Sequence, residues 1–213
     1  MTEPATATPV VFLVDDDETI RVSLARALGL RGYRVRAFAS AQAFLDAYDG
    51  KAPGCLILDY GMPQMDGLAL QRRLIETDIR IPIIFITGHG GIPESVQAIK
   101  HGALDFLEKP FKQSVLIERI EAAIELDRVQ RVEHAESSAA RARFDALTDR
   151  EREIARFMVA NPGANSSKDV ARHLDISPRT VDHHRARILE KIGVNTVAEL
   201  VGLAMEVDFG KDA

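Results

Sequence analysis

The 213-residue sequence has one cysteine, Cys55, so no disulfide can form within the chain. Cys55 precedes an apolar run and is expected as a small buried hydrophobe rather than a reactive thiol. No apolar stretch approaches the ~20 residues a membrane-spanning helix needs, so no membrane partner is expected. Residues 1–9 lack the basic region and apolar core of a secretory signal. They are expected to be disordered, and the protein cytoplasmic. Positive charge is not in excess: Lys+Arg 27 stand against Asp+Glu 32, net −5. Residues 1–127 hold 13 basic and 18 acidic residues, and residues 128–213 hold 14 of each. A nucleic-acid surface in the second half would therefore have to lie on one face. The length allows one large or two small domains.

The first half is organised around Leu56-Ile57-Leu58-Asp59-Tyr60-Gly61-Met62-Pro63. A short apolar run delivers Asp59 into a loop punctuated by Gly and Pro, which reads as a buried strand and its end. Four further runs alternate with helical segments: Val10–Val14, Tyr33–Phe38, Pro82–Ile86 and Leu104–Leu107. Helices are expected over Thr19–Leu30, Ser40–Tyr48, Gly67–Ile75, Pro93–Lys100 with Val96 and Ile99 inward, and from Phe111 to about Leu126. Strand–helix alternation predicts a five-stranded parallel sheet, doubly wound, with helices on both faces.

Polar residues follow these strands: Asp15 and Asp16, Asp59, Thr87 and Lys109. They should meet at the carboxyl end of the sheet, where open α/β sheets bind ligands. Taken singly, a strand-end Asp is more often a helix cap and a Lys-Pro a turn. The ordered set points to chemistry. Three carboxylates close together need a counter-charge, and a hard divalent cation with oxygen ligands supplies it. With a lysine and a hydroxyl beside them, the set suits transfer of a phosphoryl group onto a carboxylate.

On these residues, together with Asp59-x-Gly61-Met62-Pro63-x-Met65-Asp66-Gly67 and Lys109-Pro110-Phe111, residues 10–127 resemble a response-regulator receiver domain, the CheY-like (flavodoxin-like) fold. Thr87-Gly88-His89-Gly90 and Phe106 to Phe111 narrow the resemblance to the FixJ-like branch. The resemblance implies phosphorylation at Asp59. It implies Mg²⁺ held by Asp16, Asp59 and the Gly61 carbonyl, with Asp15 acting through a water. Thr87 and Lys109 would contact the phosphoryl oxygens, the Lys109-Pro110 bond would be cis, and Phe106 would be the aromatic switch. A competing motif, Asp15-x-Asp17-x-Thr19, fits a haloacid-dehalogenase-like phosphohydrolase with Asp15 as nucleophile and Asp17 as acid/base. It leaves Met62-Pro63 and Asp66-Gly67 unexplained, and no late acidic pair follows a strand after Lys109.

Residues 128–144 are polar and alanine-rich, with no Gly or Pro, and are expected as a helical linker that could pair as a short coiled coil. Residues 145–208 should form an all-α, four-helix domain, with 209–213 a tail. Thr148 and Glu151 make a capping box. Ser166 or Ser167 caps a short helix, Asp175-Ile176 turns, and Ser177-Pro178 starts the next helix. This is a helix-turn-helix. On a wheel, Val181, Ile188, Leu189 and Ile192 face the core, while Arg179, His183, Ala186, Arg187 and Glu190 face outward, toward a major groove. Arg185 falls on the apolar side and is expected to snorkel to a phosphate. His184 borders the core.

Leu147-Thr148-x-Arg150-Glu151-x-Glu153 and Ile176-Ser177-Pro178-Arg179-Thr180-Val181, with His184, Arg187, Ile188 and Lys191, resemble the LuxR-type DNA-binding domain. The Asn161–Lys168 loop is about three residues longer than the family's usual Gly-x-x-Asn-Lys loop. DNA contacts are expected from Lys168, Arg179, Thr180, Asp182, His183, His184, Arg185, Arg187 and Lys191. Asp182 could accept from a cytosine amino group or lower non-specific affinity.

The chain is thus expected to be a two-component response regulator in a phosphorelay. Its partners would be a sensor histidine kinase, double-stranded DNA, RNA polymerase and, once phosphorylated, a second copy through a face including Val96, Lys100, Phe106 and Val115. It would not be an enzyme, although a receiver accepts a phosphoryl group and can hydrolyse it from itself. The alternative is a constitutive DNA-binding regulator with a non-phosphorylated receiver.

Overall fold

A computed structural model describes residues 8–88 and 98–209. The chain divides into two compact units, Met1–Arg131 and Val132–Ala213.

In the first unit, β1 (Val10–Val14), β2 (Arg34–Phe38), β3 (Gly54–Asp59), β4 (Ile83–Thr87) and β5 (Asp105–Glu108) form one parallel sheet in the order β2-β1-β3-β4-β5. The central strands β1, β3 and β4 are buried along their whole length, as strands covered on both faces must be. Their side chains alternate between two cores. Phe12, Val14, Leu56, Leu58 and Phe85 lie in one. Val11, Leu13, Ile57, Ile84 and Ile86 lie in the other. Cys55 is fully buried, as expected, and burial pushes its thiol up to about 12.

Helices α1 (Glu18–Gly29), α2 (Ala41–Ala47) and α3 (Gly67–Glu76) start at side-chain caps: Asp17, Ser40 and Asp66. Each carboxylate or hydroxyl accepts from backbone N–H groups that the helix leaves unpaired. The expected helix over 93–100 lies outside the described residues up to 97. At its end Ala98 is fully buried, and Ile99 is 46 % exposed instead of inward. The sheet is as predicted to within two residues at each strand end, the largest difference being β3, which starts at Gly54 rather than Leu56.

The last receiver helix does not stop near Leu126 but continues through the expected helical linker: α4 runs as one helix from Gln113 to Asp145. Leu116, Ile120 and Ala123 bury its first part. Residues 132–139 are all exposed, and Ala140 and Phe144 then enter the core of the second unit. Phe209, placed in the tail by sequence, stacks on Phe144 at 4.3 Å between centroids.

The second unit adds α5 (Asp149–Ala160), α6 (Ser167–Leu174), α7 (Pro178–Ile192) and α8 (Val197–Glu206). The Thr148–Glu151 capping box forms in both directions. Ser166, not Ser167, caps α6. Asp175 turns the chain in the left-handed region (φ 51°), and Ser177 with Pro178 starts α7. Val181, Ile188 and Ile192 are fully buried, which orients α7 as its wheel predicts.

Candidate phosphoryl site and nucleic-acid interface

Strand register gathers the reactive side chains. Val14 pairs with Leu58, Asp59 with Ile86, and Thr87 with Glu108. Asp15, Asp59, Thr87 and Lys109 therefore lie along one carboxyl-terminal edge. Gly67 lets the following loop fold back tightly. A Cβ there would stand 2.7 Å from the Asp59 carbonyl and 2.7 Å from Phe85.

Asp15 and Asp59 are buried, at 1 % and 7 % exposure. The Lys109 ammonium bridges them, 2.9 Å from Asp15 Oδ2 and 2.7 Å from Asp59 Oδ1. Asp59 Oδ2 accepts the Gly61 N–H at 3.0 Å, and Asp15 Oδ1 accepts the Asp17 N–H at 2.9 Å. Burial raises the Asp15 pKa, against the opposing pull of Lys109. Burial would lower that of Lys109, but the hydrogen bonds to Asp59 and Asp15 outweigh it and the net direction is up. One ammonium thus faces two buried carboxylates, with Asp16 exposed beside them.

That donor set is all hard oxygen and carries excess negative charge, which fits Mg²⁺. Among the described residues no three His, Cys, Asp or Glu side chains close into a metal-holding cluster. Mg²⁺ needs only one or two carboxylates and keeps several waters, so the fit stands on the donors present.

Thr87 is 2 % exposed, and its carbonyl accepts the Lys109 N–H at 2.6 Å. The Lys109-Pro110 bond is cis. Phe106 is half-buried, its ring 6.1 Å from those of both Tyr60 and Phe85. Asp17 does not face Asp15 as an acid/base. Its Oδ1 accepts the Thr19 and Ile20 N–H groups, which lower its pKa. The phosphohydrolase pairing is therefore not assembled.

In the helix-turn-helix, Arg179, His183 and Arg187 are exposed, as the wheel requires, and Lys168 on α6 is exposed too. Four other expected DNA contacts have partners within the fold, Asp182 through one carboxylate oxygen only. The Arg185 head does not snorkel outward: it donates to Ser167 Oγ at 3.0 Å and to the Asn165 carbonyl at 2.7 Å. Lys191 pairs with the buried Glu151 carboxylate at 2.6 Å. The Thr180 hydroxyl lies 2.7 Å from the Ser177 hydroxyl. The Asp182 carboxylate accepts from Ser167 Oγ. His184 is half-buried, at the core's border. His173 packs on Phe157.

One cluster escaped the sequence. Asp127, 2 % exposed, accepts the Gly54 N–H and the Arg131 Nε, both at 2.8 Å. Arg131 also donates to the carbonyls of Gly50, Lys51 and Ala52 and to the Tyr48 hydroxyl. The i,i+4 spacing of Asp127 and Arg131 was legible as a helix pair. The loop they grip, some 75 residues earlier, was not.

A doubly wound α/β unit with an acid–lysine site, followed by a helix-turn-helix unit, defines a regulator that couples a charge-handling site to DNA. The response regulator receiver domain family matches residues 11–121, and the luxR family of bacterial regulatory proteins matches residues 145–204. The chain is 42 % identical over 200 residues to the transcriptional regulatory protein FixJ of Rhizobium meliloti (strain 1021), covering 94 % of this chain and 97 % of that one. It is 40 % identical over 192 residues to the response regulator protein TodT of Pseudomonas putida, covering 90 % and 83 %. Among solved structures it is similar to the response regulator StyR, with TM-score 0.78, 38 % identity and coverage of 94 % and 100 %. Full-length FixJ from B. japonicum matches with TM-score 0.57, 39 % identity and coverage of 95 % and 98 %. The chain belongs to the FixJ-type response regulators and is a two-component transcriptional regulator with a LuxR-type DNA-binding domain. Among the described residues no helix is long and apolar enough to cross a membrane.

Proposed function

We propose that Asp59 is the phosphoacceptor. The observation that supports this is the Lys109 ammonium held between the buried Asp15 and Asp59 carboxylates at the sheet's carboxyl edge. An Asp59 oxygen attacks the phosphorus of a kinase phosphohistidine. The new P–O bond forms as the P–N bond breaks, and the electron pair leaves on the imidazole nitrogen, which is then protonated. Asp16, Asp59 and the Gly61 carbonyl, with Asp15 acting through a water, would hold Mg²⁺, which supplies neutralising charge for the transferring oxygens. Lys109 moves from pairing Asp59 to pairing a phosphoryl oxygen, and the Thr87 hydroxyl donates to another. Phe106, packed only part-way between Tyr60 and Phe85, follows Thr87 inward.

The phosphoryl group shifts the receiver between two states by its differential affinity for them. The favoured state dimerises through the face that includes Lys100, Phe106 and Val115, and presents two copies of α7 to successive major grooves. Val96, assigned to that face, lies outside the described residues. Lys168, Arg179, His183 and Arg187, exposed on the helix-turn-helix, are among the residues that contact DNA. Residues 10–127 act as receiver and 145–208 as DNA-binding domain in the cytoplasm, with RNA polymerase as the downstream partner. Slow hydrolysis of the acyl phosphate resets the switch.

The test is incubation with a small phosphoramidate donor and Mg²⁺, read by intact mass. One phosphoryl group should appear on the wild type and none on Asp59→Asn or after chelation. Equal labelling of Asp59→Asn would place the acceptor elsewhere. No labelling of the wild type would favour a constitutive regulator.

A further inference from the structure

We propose that Asp182 selects a cytosine in the operator, and that Ser167 and Arg185 hold it in the reading position. This rests on α7 being the groove-entering helix.

Asp182 is the fifth residue of α7, within the N-terminal part from which a recognition helix reaches base edges. A carboxylate among DNA phosphates weakens attraction at every site. It gains specificity only where it accepts from a base donor, and the cytosine N4 amino group is the one it suits. An exposed Asp on a helix surface would ordinarily sample several rotamers and lose entropy on binding. This one is braced. Arg185 Nη2 is anchored on the Asn165 carbonyl at 2.7 Å, and its Nη1 donates to Ser167 Oγ at 3.0 Å. A lone pair of that hydroxyl is thereby taken, which directs its proton to Asp182 Oδ1. The same Nη1 lies 3.8 Å from Oδ1. The brace is sheltered while the reader is not: the Arg185 side chain is 21 % exposed and that of Asp182 63 %. Oδ2 has no hydrogen bond within the fold among the described residues and is left to accept from a base.

Loop and helix therefore act together. The Asn165–Ser167 segment, part of the unusually long Asn161–Lys168 loop, supplies both ends of the brace. Ser167 and Arg185 are positioning residues, and Asp182 is the contact.

The test uses the full chain with Mg²⁺ and beryllofluoride, selecting from a randomised double-stranded DNA library. The wild type should enrich a motif with cytosine at a fixed position in each half-site. Asp182→Ala should lose preference at that position alone, by about five- to a hundredfold. Asp182→Asn retains an oxygen for Ser167 and should shift the position toward adenine, the base an amide pairs with. Ser167→Ala should weaken the cytosine preference while leaving the other positions intact. A wild-type motif that Asp182→Ala and Asp182→Asn both reproduce at every position overturns the proposal and leaves the DNA-binding reading standing. Uniform loss at all positions in Asp182→Asn also overturns it. A wild type that enriches no motif overturns the DNA-binding reading itself.

Discussion

Replacing Lys191 by Met separates a structural lysine from a DNA-binding one. Lys191 was expected to meet DNA, yet its Nζ lies 2.6 Å from Glu151 Oε2, and that carboxylate is 3 % exposed. Glu151 Oε2 also accepts the Thr148 N–H at 2.9 Å, closing the capping box of α5. Burial opposes ionisation of Glu151, but the Lys191 hydrogen bond and the Thr148 N–H outweigh it, lowering the pKa from 4.5 to about 2. The whole drop sets a ceiling of ~3 kcal/mol on what ionisation contributes. Lys191 is 37 % exposed, and solvent screening brings its share to ~1–2 kcal/mol. Lys191→Met leaves a buried carboxylate without its cation, held by Thr148 alone. It should lower the melting temperature of the second unit by about 5–10 °C. The two units need not unfold together, so calorimetry of the full chain is the assay that resolves which transition moves.

The pH dependence has a definite sign. A depressed folded pKa contributes stability that is fully present above 4.5 and is lost as pH falls toward about 2. Lys191→Met should flatten that acid dependence. DNA affinity should keep its salt slope, because no phosphate contact has been removed. An unchanged melting temperature together with a salt slope reduced by about one would refute the assignment and return Lys191 to the DNA interface.

Two further outcomes follow from buried groups. The Cys55 thiol, fully buried with its pKa pushed up to about 12, should resist iodoacetamide in the native protein and react on unfolding. Native labelling at the unfolded rate would contradict its placement in the sheet. Arg131→Ala strips Asp127 of its cation and releases three carbonyls, and should cost the receiver ~3 kcal/mol in denaturant unfolding. Asp127→Asn, which still offers an oxygen to the Gly54 N–H, should cost less. Equal losses would mean that the charge on Asp127 is not what Arg131 serves.

The acid–lysine site was legible in the sequence because it depends on order along the chain. Each reactive residue follows an apolar run, and parallel strands carry all such ends to one edge. The helix caps at Thr148 and Ser177 were legible for a similar reason, since a cap and its partners are neighbours in sequence. The face of α7 was legible through its apolar spacing, which fixes direction about the axis.

What the sequence could not determine was which polar side chains would be used up inside the fold. Lys191 and Glu151 are 40 residues apart, and Arg185 meets Asn165 and Ser167 across the helix-turn-helix. A wheel gives a direction but not the partner waiting there, so lysine and arginine on that helix read alike as DNA contacts. The continuity of α4 was legible in part, since residues 128–144 carry high helix propensity and no Gly or Pro. Residues 132–139 carry no buried side chain, so the sequence did not show where the helix enters a second core, which Ala140 and Phe144 mark. Local pattern determined the elements, the caps and the reactive edge. Tertiary packing alone decided which charges remain free to meet DNA, because a charge's role depends on the nearest opposite charge in space, and that neighbour is set by the fold.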